Sequence, residues 1–397
     1  MKKIAIIVAA LAAVAVYSMS SLAQTPAGAP TTAKATMSDA HKAEAKKLID
    51  GGIAFLLAQK EEDGGWSLGK GAAKPAITAM ALKAMLQSGM TTKDSVVKKG
   101  FELLLTYRQP NGGIYDPKGG QENYTSAVAL MALAAAKDPA FKPAIDDAIK
   151  YMRGLQIVPG SQSPDGKTIG EKDPWVGGVS YGEHGRPDLS NVGMWVEAMH
   201  EAGVKGDDPD MQRALVFVSN TQNRSESNPQ PWAKIGTNDG GFVYAPAVKG
   251  DPNTGETKVT ASGEQGLRSY GSMTYTGFKS MLYAAVDRQD GRVQGALKWI
   301  QSFWRLDSNP NMPAGQSKEG LYYYYQVFAK AMGAWGEPVI TDVRGQKHNW
   351  REELVDALKE RVKADGSWEN DTGRWFEKLP VLSTCYSVLS LEETLRD

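Results

Sequence analysis

The chain has 397 residues, in which 45 lysines and arginines balance 45 aspartates and glutamates. With no net charge it lacks the field that would attract nucleic acid or an anionic membrane, so neither is an expected partner. The length suits two average domains or one large closed architecture.

The N-terminus has the pattern of a secretory signal peptide. Lys2 and Lys3 precede the apolar run IAIIVAALAAVAVYSM, and the small residues of SSLAQ follow it. This arrangement predicts a signal peptide over 1–23, cleaved after Ala23, and a secreted or periplasmic protein. An uncleaved membrane anchor is the alternative interpretation. No later stretch combines the length and apolarity of a membrane span.

A flexible tether is expected after the cleavage site. Residues 24–39 are rich in Pro, Ala and Thr and show no hydrophobic periodicity. The folded domain is therefore predicted over 40–397. The single cysteine, Cys385, cannot form an internal disulfide and is expected to be a small buried residue.

Six helix–loop–helix units follow one another along this domain. The second helix of each unit is apolar over most of its circumference, which is typical of a buried helix. The predicted second helices span 76–89, 124–136, 189–203, 270–286, 320–336 and 382–395. The first helices are amphipathic, with charged residues on one face, and are expected to form an outer layer. Strand signals are sparse, so the sequence predicts an all-α protein, a single closed (α/α)6 toroid.

Each unit turns from its first helix to its second through a Gly-rich loop. In LLAQKEEDGGWSLG, Gly64 permits a sharp turn after the helix. The Gln59 amide is expected to bond unpaired carbonyl groups at the end of the helix or backbone groups of the neighbouring loop. The Trp66 ring is expected to stack on Gln59 and cover the turn between the two helices. The weaker copies place Gln109, Gly112 and Trp368 in the same structural roles.

The stretch GGIAFLLAQKEEDGGW resembles the QW motif of squalene–hopene and other triterpene cyclases. The segments GGVSYGEHGRPDLSN and LRSYGSMTYTGFKSMLYA are similar to a bacterial group known as prenyltransferase/squalene oxidase repeat proteins. The resemblance covers all six hairpins and implies the α/α toroid shared by terpenoid cyclases and protein prenyltransferases. It says less about function, because one fold hosts many chemistries.

The catalytic signatures of both families are missing. Triterpene cyclases use an Asp-x-Asp-Asp acid motif, and the sequence contains none. Where prenyltransferases hold zinc, GSMTYTGF offers Ser272 and Thr274, and LSTCYSVLSL has Ser383 in place of His. No metal and no cofactor are therefore expected.

The expected site is the mouth at which the N-termini of the six inner helices meet. Each N-terminus contributes a partial positive charge, which favours an anionic group there. Two loops much longer than the others, 157–187 and 223–268, belong to neighbouring hairpins and could form a joint lid over this mouth.

Aromatic side chains with a few polar groups are what a small-molecule site needs, and the loops supply them. The candidate acids are Asp188 and Glu264, and Asp188 is alternatively an N-cap. The candidate ligand-binding residues are Tyr115, Glu122, Trp175, Tyr181, His184, Arg186, Tyr244, Arg268, Tyr270, Tyr275, Tyr322 and Trp375.

Three functions remain open from the sequence. In the first, an apolar or isoprenoid-like molecule fills an aromatic cavity, with its head on Arg186 and Arg268 and with Asp188 as the acid. In the second, a carbohydrate hydrolase or lyase uses two carboxylates across a cleft, from among Asp188, Glu122, Asp239 and Glu264. In the third, the toroid is a non-catalytic module that binds an envelope protein.

Overall fold

The computed structural model describes residues 37–182, 185–246, 261–262 and 266–396. The predicted signal peptide and most of the tether lie outside these ranges. The fold includes residues before the predicted start at 40, because Met37 is buried and the Ser38 side chain caps the first helix. No helix in the described part of the chain is long and apolar enough to cross a membrane.

The helices form six consecutive hairpins, with small additions in the fourth and sixth. In chain order the elements are α1 (Asp39–Ala58) and α2 (Lys74–Gln87); α3 (Ser95–Thr106) and α4 (Glu122–Ala136); α5 (Lys142–Gly154) and α6 (Leu189–Glu201); α7 (Pro209–Asn220), the short α8 (Pro231–Ile235), the strands β1 (Ala261–Ser262) and β2 (Gly266–Leu267), and α9 (Gly271–Tyr283); α10 (Gly291–Ser302) and α11 (Leu321–Trp335); the strands β3 (Val339–Thr341) and β4 (Lys347–Asn349), then α12 (Trp350–Lys359) and α13 (Pro380–Thr394). Each strand pair is antiparallel, and 3₁₀ turns occur at Pro139–Phe141 and Arg374–Phe376.

The six second helices form a closed inner ring. α2 packs on α4, α4 on α6, α6 on α9, α9 on α11 and α11 on α13, and α13 returns to α2. Their residues are buried nearly all round, including Cys385, whereas the first helices bury one face. The predicted all-α toroid is confirmed, and the inner helices lie within about one turn of their predicted bounds.

The loop glutamines hold backbone carbonyl groups in three repeats, and two of them join neighbouring hairpins. Gln109 donates to the carbonyls of Tyr107 and Tyr115, closing its own loop. Gln156 and Gln222 each donate to their own loop and to the backbone of the following outer helix, α7 or α10. The first repeat differs from expectation, because Gln59 is exposed at the end of α1.

The loop tryptophans cap the outer helices through their indole N–H groups. Trp66 is fully buried and donates to the Leu56 carbonyl over 2.6 Å, in the last turn of α1. Trp368 repeats the contact in the sixth hairpin, donating to Leu358 over 2.8 Å at the end of α12. Each indole therefore satisfies a helix-terminal carbonyl, the task expected of the glutamine.

Glycines let successive hairpins approach one another, and the last such contact closes the ring. Gly366, at φ +83°, places its Cα against the Gly51 carbonyl of α1, and a Cβ there would lie 2.5 Å from that oxygen. Gly112 makes the equivalent contact with the Asp147 carbonyl of α5. Gly64 likewise has a positive φ, and its Cα faces the Lys99 side chain of α3.

The ring-closing contact predicts a difference between two glycine substitutions. Gly366→Ala should destabilise the protein more than Gly345→Ala, measured as the free energy of unfolding in urea. Gly345 has nearly the same φ, +84°, but a Cβ there would meet nothing within 4 Å. The control should therefore lose only the left-handed backbone term of about 1–2 kcal/mol. Equal losses for the two variants would contradict a close approach of the sixth hairpin to the first.

Ionic groups fill the axis near the C-terminal ends of the inner helices. Lys279 and Glu197 form an ion pair, and both side chains are almost completely buried. Glu201 lies 2.6 Å from both Lys83 and Lys330. Burial opposes ionisation, but the lysines outweigh it and lower the pKa of Glu197 and of Glu201. The ionised form of the two glutamates is therefore favoured, whereas burial lowers the pKa of Lys83 against the charges of Glu201 and Glu197.

Removing one charged side chain of this cluster should destabilise the protein. Lys279→Met should lower the free energy of unfolding by about 3–5 kcal/mol, because it leaves the buried Glu197 carboxylate poorly compensated. The double variant Glu197→Gln/Lys279→Met should lose less. Lys142→Met, which removes an exposed pair with Asp146, is the matched control and should lose roughly 0.5 kcal/mol or less. A single variant as stable as this control would refute the buried ion pair.

Candidate functional site

A cavity of about 380 Å³ opens at the N-terminal end of the inner ring. All six inner helices contribute residues from their first two turns, and the loops complete the wall. Its lining is dominated by aromatic and aliphatic side chains with a few polar groups. The lining residues are Leu68, Ala73, Ala76, Ile77, Gln121, Tyr124, Tyr181, Arg186, Ser190, Tyr244, Tyr270, Ser272, Met273, Tyr323, Arg374, Trp375, Phe376, Glu377, Leu382 and Tyr386.

The first N–H groups of four inner helices are satisfied by the loop of the following hairpin. The Tyr181 carbonyl accepts from Asn123 at the start of α4, and the Tyr244 carbonyl accepts from Leu189 at the start of α6. At α9 the Pro310 carbonyl accepts from Gly271, and the Asn309 side-chain oxygen accepts from Ser272. At α11 the Glu377 carboxylate accepts from Tyr323, which lies 54 residues earlier in the chain.

This capping changes the expected electrostatics of the mouth. The sequence predicted converging N–H groups that could receive an anion, but these four helices already direct N–H groups at protein oxygens. Arg186 and Arg374 line the cavity and bring positive charge to it through side chains. The positive charge on the described cavity wall is thus carried by these two side chains.

Asp188 is a buried carboxyl group at the start of α6. Its carboxylate accepts from the Asn191 backbone N–H at 2.9 Å and from the Asn191 amide at 2.8 Å, which makes it the N-cap of α6. The Tyr244 hydroxyl also bonds to it. Burial raises the pKa of Asp188 to about 6, against these hydrogen bonds and the charge of Arg186. Tyr244 lies on the cavity wall in front of this carboxyl group.

Glu377 is a second buried acid, and it lines the cavity itself. Its carboxylate accepts from the backbone N–H groups of Tyr323 at 2.8 Å and Tyr322 at 3.2 Å, and from the Asn370 amide at 2.6 Å. Burial nevertheless raises the pKa of Glu377 to about 7. This group can therefore change its protonation state near neutral pH while it holds the start of α11.

The raised pKa predicts a pH-dependent contribution to stability. Protonated Glu377 is favoured in the folded state, so its contribution is fully present below the ordinary value of 4.5 and is lost as the pH rises through about 7. The unfolding free energy of the wild type, relative to Glu377→Gln, should therefore fall by up to roughly 3 kcal/mol from about pH 4 to pH 8. Asp371→Asn, an exposed change in the same loop, should show no such trend.

Tyrosine hydroxyl groups form bonded pairs around the cavity. Tyr124 and Tyr386 join across 2.8 Å, from α4 and α13. Tyr323 bonds to Ser190 at 2.9 Å, which links α11 to α6. Burial raises the pKa of Tyr124 to about 12, so these groups are neutral at ordinary pH. The wall thus combines aromatic faces with neutral hydrogen-bonding groups.

The rim of the cavity carries exposed aromatic side chains. Trp375 and Phe376 are 45% and 58% exposed, and both have left-handed backbone conformations, with φ +53° and +64°. The Arg374 guanidinium lies 4.8 Å from the Trp375 ring centre, and its Nε is 3.3 Å from a Glu319 carboxylate oxygen. Strained backbone of this kind is found at ligand-binding sites, and here it turns two aromatic rings towards the mouth.

The structure brings five of the predicted ligand-binding residues together on the cavity wall. The five are Tyr181, Arg186, Tyr244, Tyr270 and Trp375. Asp188 lies directly behind Tyr244. His184 and Glu264 lie outside the described residues.

Six other predicted residues lie away from the cavity wall. Tyr275 packs in the core against Tyr324 and Phe328, and the Tyr322 hydroxyl donates to the Glu369 carbonyl. Tyr115, in the loop of the second hairpin, stacks on Tyr151 of α5. Glu122, Trp175 and Arg268 are partly buried elsewhere and do not line the cavity.

Sequence reasoning missed several wall residues as site candidates. Tyr323 is the member of the Tyr322–Tyr325 run that lines the cavity. Tyr386 also lines it and lies in the segment LSTCYSVLSL, in which Ser383 stands where prenyltransferases have a zinc-binding His. Arg374 replaces Arg268 as the second arginine of the site. Glu377 carries no local signal, because its partners belong to another hairpin.

Comparison with known proteins supports the fold alone. No protein-family model matches the chain, and no curated protein matches it significantly. An α-1,6-mannanase GH76A from a Salegentibacter species is similar in structure, with a TM-score of 0.56 and 11% identity over 88% of this chain and 98% of that one. The type II terpene cyclase MstE from Scytonema, in a substituted form bound to geranylgeranyl dihydroxybenzoate, is also similar in structure. Its TM-score is 0.51, with 13% identity over 89% of this chain and 98% of that one.

A protein from Actinoplanes is similar to the same extent, with a TM-score of 0.50 and 12% identity over 89% of this chain and all of that one. These proteins share the α/α toroid. Within the described residues, no group of three or more His, Cys, Asp or Glu side chains is placed to hold a metal ion.

Proposed function

We propose that this protein, once exported, binds a small amphiphilic molecule with an apolar, isoprenoid-like body. The cavity of about 380 Å³, lined by six tyrosines, Trp375 and Phe376, carries the proposal. Small-molecule sites in proteins have volumes of about 300–1,000 Å³ and join apolar walls to a few polar groups. The cavity also lies in a fold shared with a terpene cyclase that binds a geranylgeranyl compound.

The polar groups orient such a molecule. Arg186 and Arg374 lie among the loop residues of the wall, and a negatively charged or strongly polar head would be placed against them. The apolar body would extend inward over Ile77, Met273 and Leu382, from three inner helices. Burial of this body supplies the affinity, and the arginines supply the orientation.

The acids of the site favour binding over cyclisation. Alkene protonation requires a strong acid, whereas the pKa of Asp188 is raised to about 6 and that of Glu377 to about 7. Glycoside hydrolysis requires two carboxyl groups that face the substrate. Among the described wall residues Glu377 is the one carboxyl group, and Tyr244 separates Asp188 from the cavity. The carbohydrate hypothesis thus has less support than ligand binding.

Paired isoprenoid probes test the proposal. Farnesyl phosphate should bind several-fold more tightly than farnesol, measured by tryptophan fluorescence and calorimetry. Arg374→Gln should remove most of that difference, because it removes a guanidinium group from the wall. Trp375→Ala should weaken both probes by roughly tenfold through lost apolar contact.

A matched arginine outside the cavity provides the control. Arg305→Gln changes a half-exposed arginine that is paired with Asp307, and it should leave both affinities unchanged. If the wild type bound neither probe, native mass spectrometry of the protein from its producing cells would show whether it carries another small molecule. An empty protein that captured an envelope protein instead would replace this proposal with the scaffold function.

A further inference from the structure

The floor of the cavity is a hydrogen-bonded pair of tyrosines rather than an apolar surface. Tyr124 and Tyr386 line the main cavity and also a second cavity of about 20 Å³ beneath it. Their hydroxyl oxygens are 2.8 Å apart. The pair is therefore a partition, with the ligand cavity on one side and the axial ionic cluster on the other.

One of the two hydroxyl protons of this pair has no acceptor within the pair. Two hydroxyl groups carry two protons, and the bond between them uses one. Within the described part of the chain neither hydroxyl bonds to another side chain or carbonyl. A buried hydroxyl proton without an acceptor is unfavourable, so the second proton needs an acceptor in one of the two adjoining cavities.

The smaller cavity is equipped to hold one water molecule. A water needs about 10–15 Å³ and two to four polar partners. Gln326, which is only 6% exposed, lines this cavity, and its amide oxygen has no hydrogen-bond partner among the described residues. The Gln326 amide nitrogen is already directed at Glu197, over 3.4 Å. Lys83 lines the same cavity and supplies an ammonium donor.

A water in this position would leave a hydrogen-bonding group of the tyrosine pair facing the main cavity. The water would accept from Lys83 and donate one proton to the Gln326 oxygen. Where its other proton goes to a tyrosine oxygen, the spare tyrosine O–H points towards the main cavity. Where the spare O–H donates to the water instead, the free lone pairs of the tyrosine oxygens face that cavity. In both arrangements the upper side of the partition presents a hydrogen-bonding group to whatever fills the cavity.

We propose that the Tyr124–Tyr386 pair is a specificity subsite that binds a hydroxyl group at the buried end of the ligand. This inference rests on the proposed function and narrows it. The preferred molecule has an apolar middle, a head near the arginines and a hydroxyl group at the opposite end. Such a hydroxyl can accept from a tyrosine O–H or donate to a tyrosine oxygen, whereas a purely hydrocarbon tail would leave the tyrosine pair without a partner on this side.

Two aromatic probes of the same skeleton test the subsite. 1-Naphthol and naphthalene differ by one hydroxyl group, and a featureless apolar cavity would prefer naphthalene. The wild type should bind 1-naphthol roughly three- to tenfold more tightly, measured by competition fluorescence and calorimetry. The double variant Tyr124→Phe/Tyr386→Phe should reverse this preference. Each single Phe variant keeps one hydroxyl with a free proton and should retain it.

Tyr325→Phe is the matched control, because the Tyr325 hydroxyl is buried outside the cavity and donates to the Leu306 carbonyl. It should keep the wild-type preference, and thermal unfolding of every variant shows that the fold is retained. Equal binding of both probes by the wild type, or a preference unaffected by the double variant, would overturn the subsite and leave the proposed function standing. Binding of neither probe would count against both.

Discussion

The structure depends on how the buried inner helices satisfy the N–H groups of their first turns. A helix that ends inside the protein cannot give these groups to water, so it needs other acceptors. In four hairpins the acceptors come from the loop of the next hairpin, for example the Tyr181 carbonyl for α4 and the Glu377 carboxylate for α11. Four hairpins are thus each completed by the next one, which ties consecutive repeats together. The close approach of Gly366 to Gly51 also joins two hairpins, because it brings the sixth hairpin onto the first.

The same requirement builds the site. Loops that must reach the starts of the inner helices carry their side chains to the mouth, so Tyr181, Tyr244 and Glu377 cap helices and also line the cavity. Capping also buries the acids, which raises the pKa of Glu377 to about 7 and leaves it sensitive to pH near neutrality. The residues that cap helices are thus also residues of the proposed ligand site, and a change to a cap should affect both stability and the proposed binding.

The sequence predicted the fold well because helix burial has a periodic signal that recurs six times. The site was predicted in part, since Tyr181, Arg186 and Tyr244 lie in loops whose length marked them. Glu377 could not be found this way, because its partners Tyr322 and Tyr323 are far away in the chain and depend on ring closure. The tyrosine run shows the same limit: successive residues point about 100° apart, and only the assembled neighbours determine which one reaches the cavity.

The axial ionic cluster lies beneath the polar floor of the cavity. A buried ion pair adds little net stability compared with well-packed apolar residues, so its value here lies in what it positions. Glu197 holds the Gln326 amide, and Lys83 reaches the space beneath the tyrosine pair. The cluster fills the C-terminal end of the ring, while the cavity opens at the N-terminal end. The leading end of a ligand that entered from the mouth would lie against the hydroxyl pair, and its head would lie against the arginines. The two ends of the cavity therefore differ in chemistry and would set the orientation of the ligand.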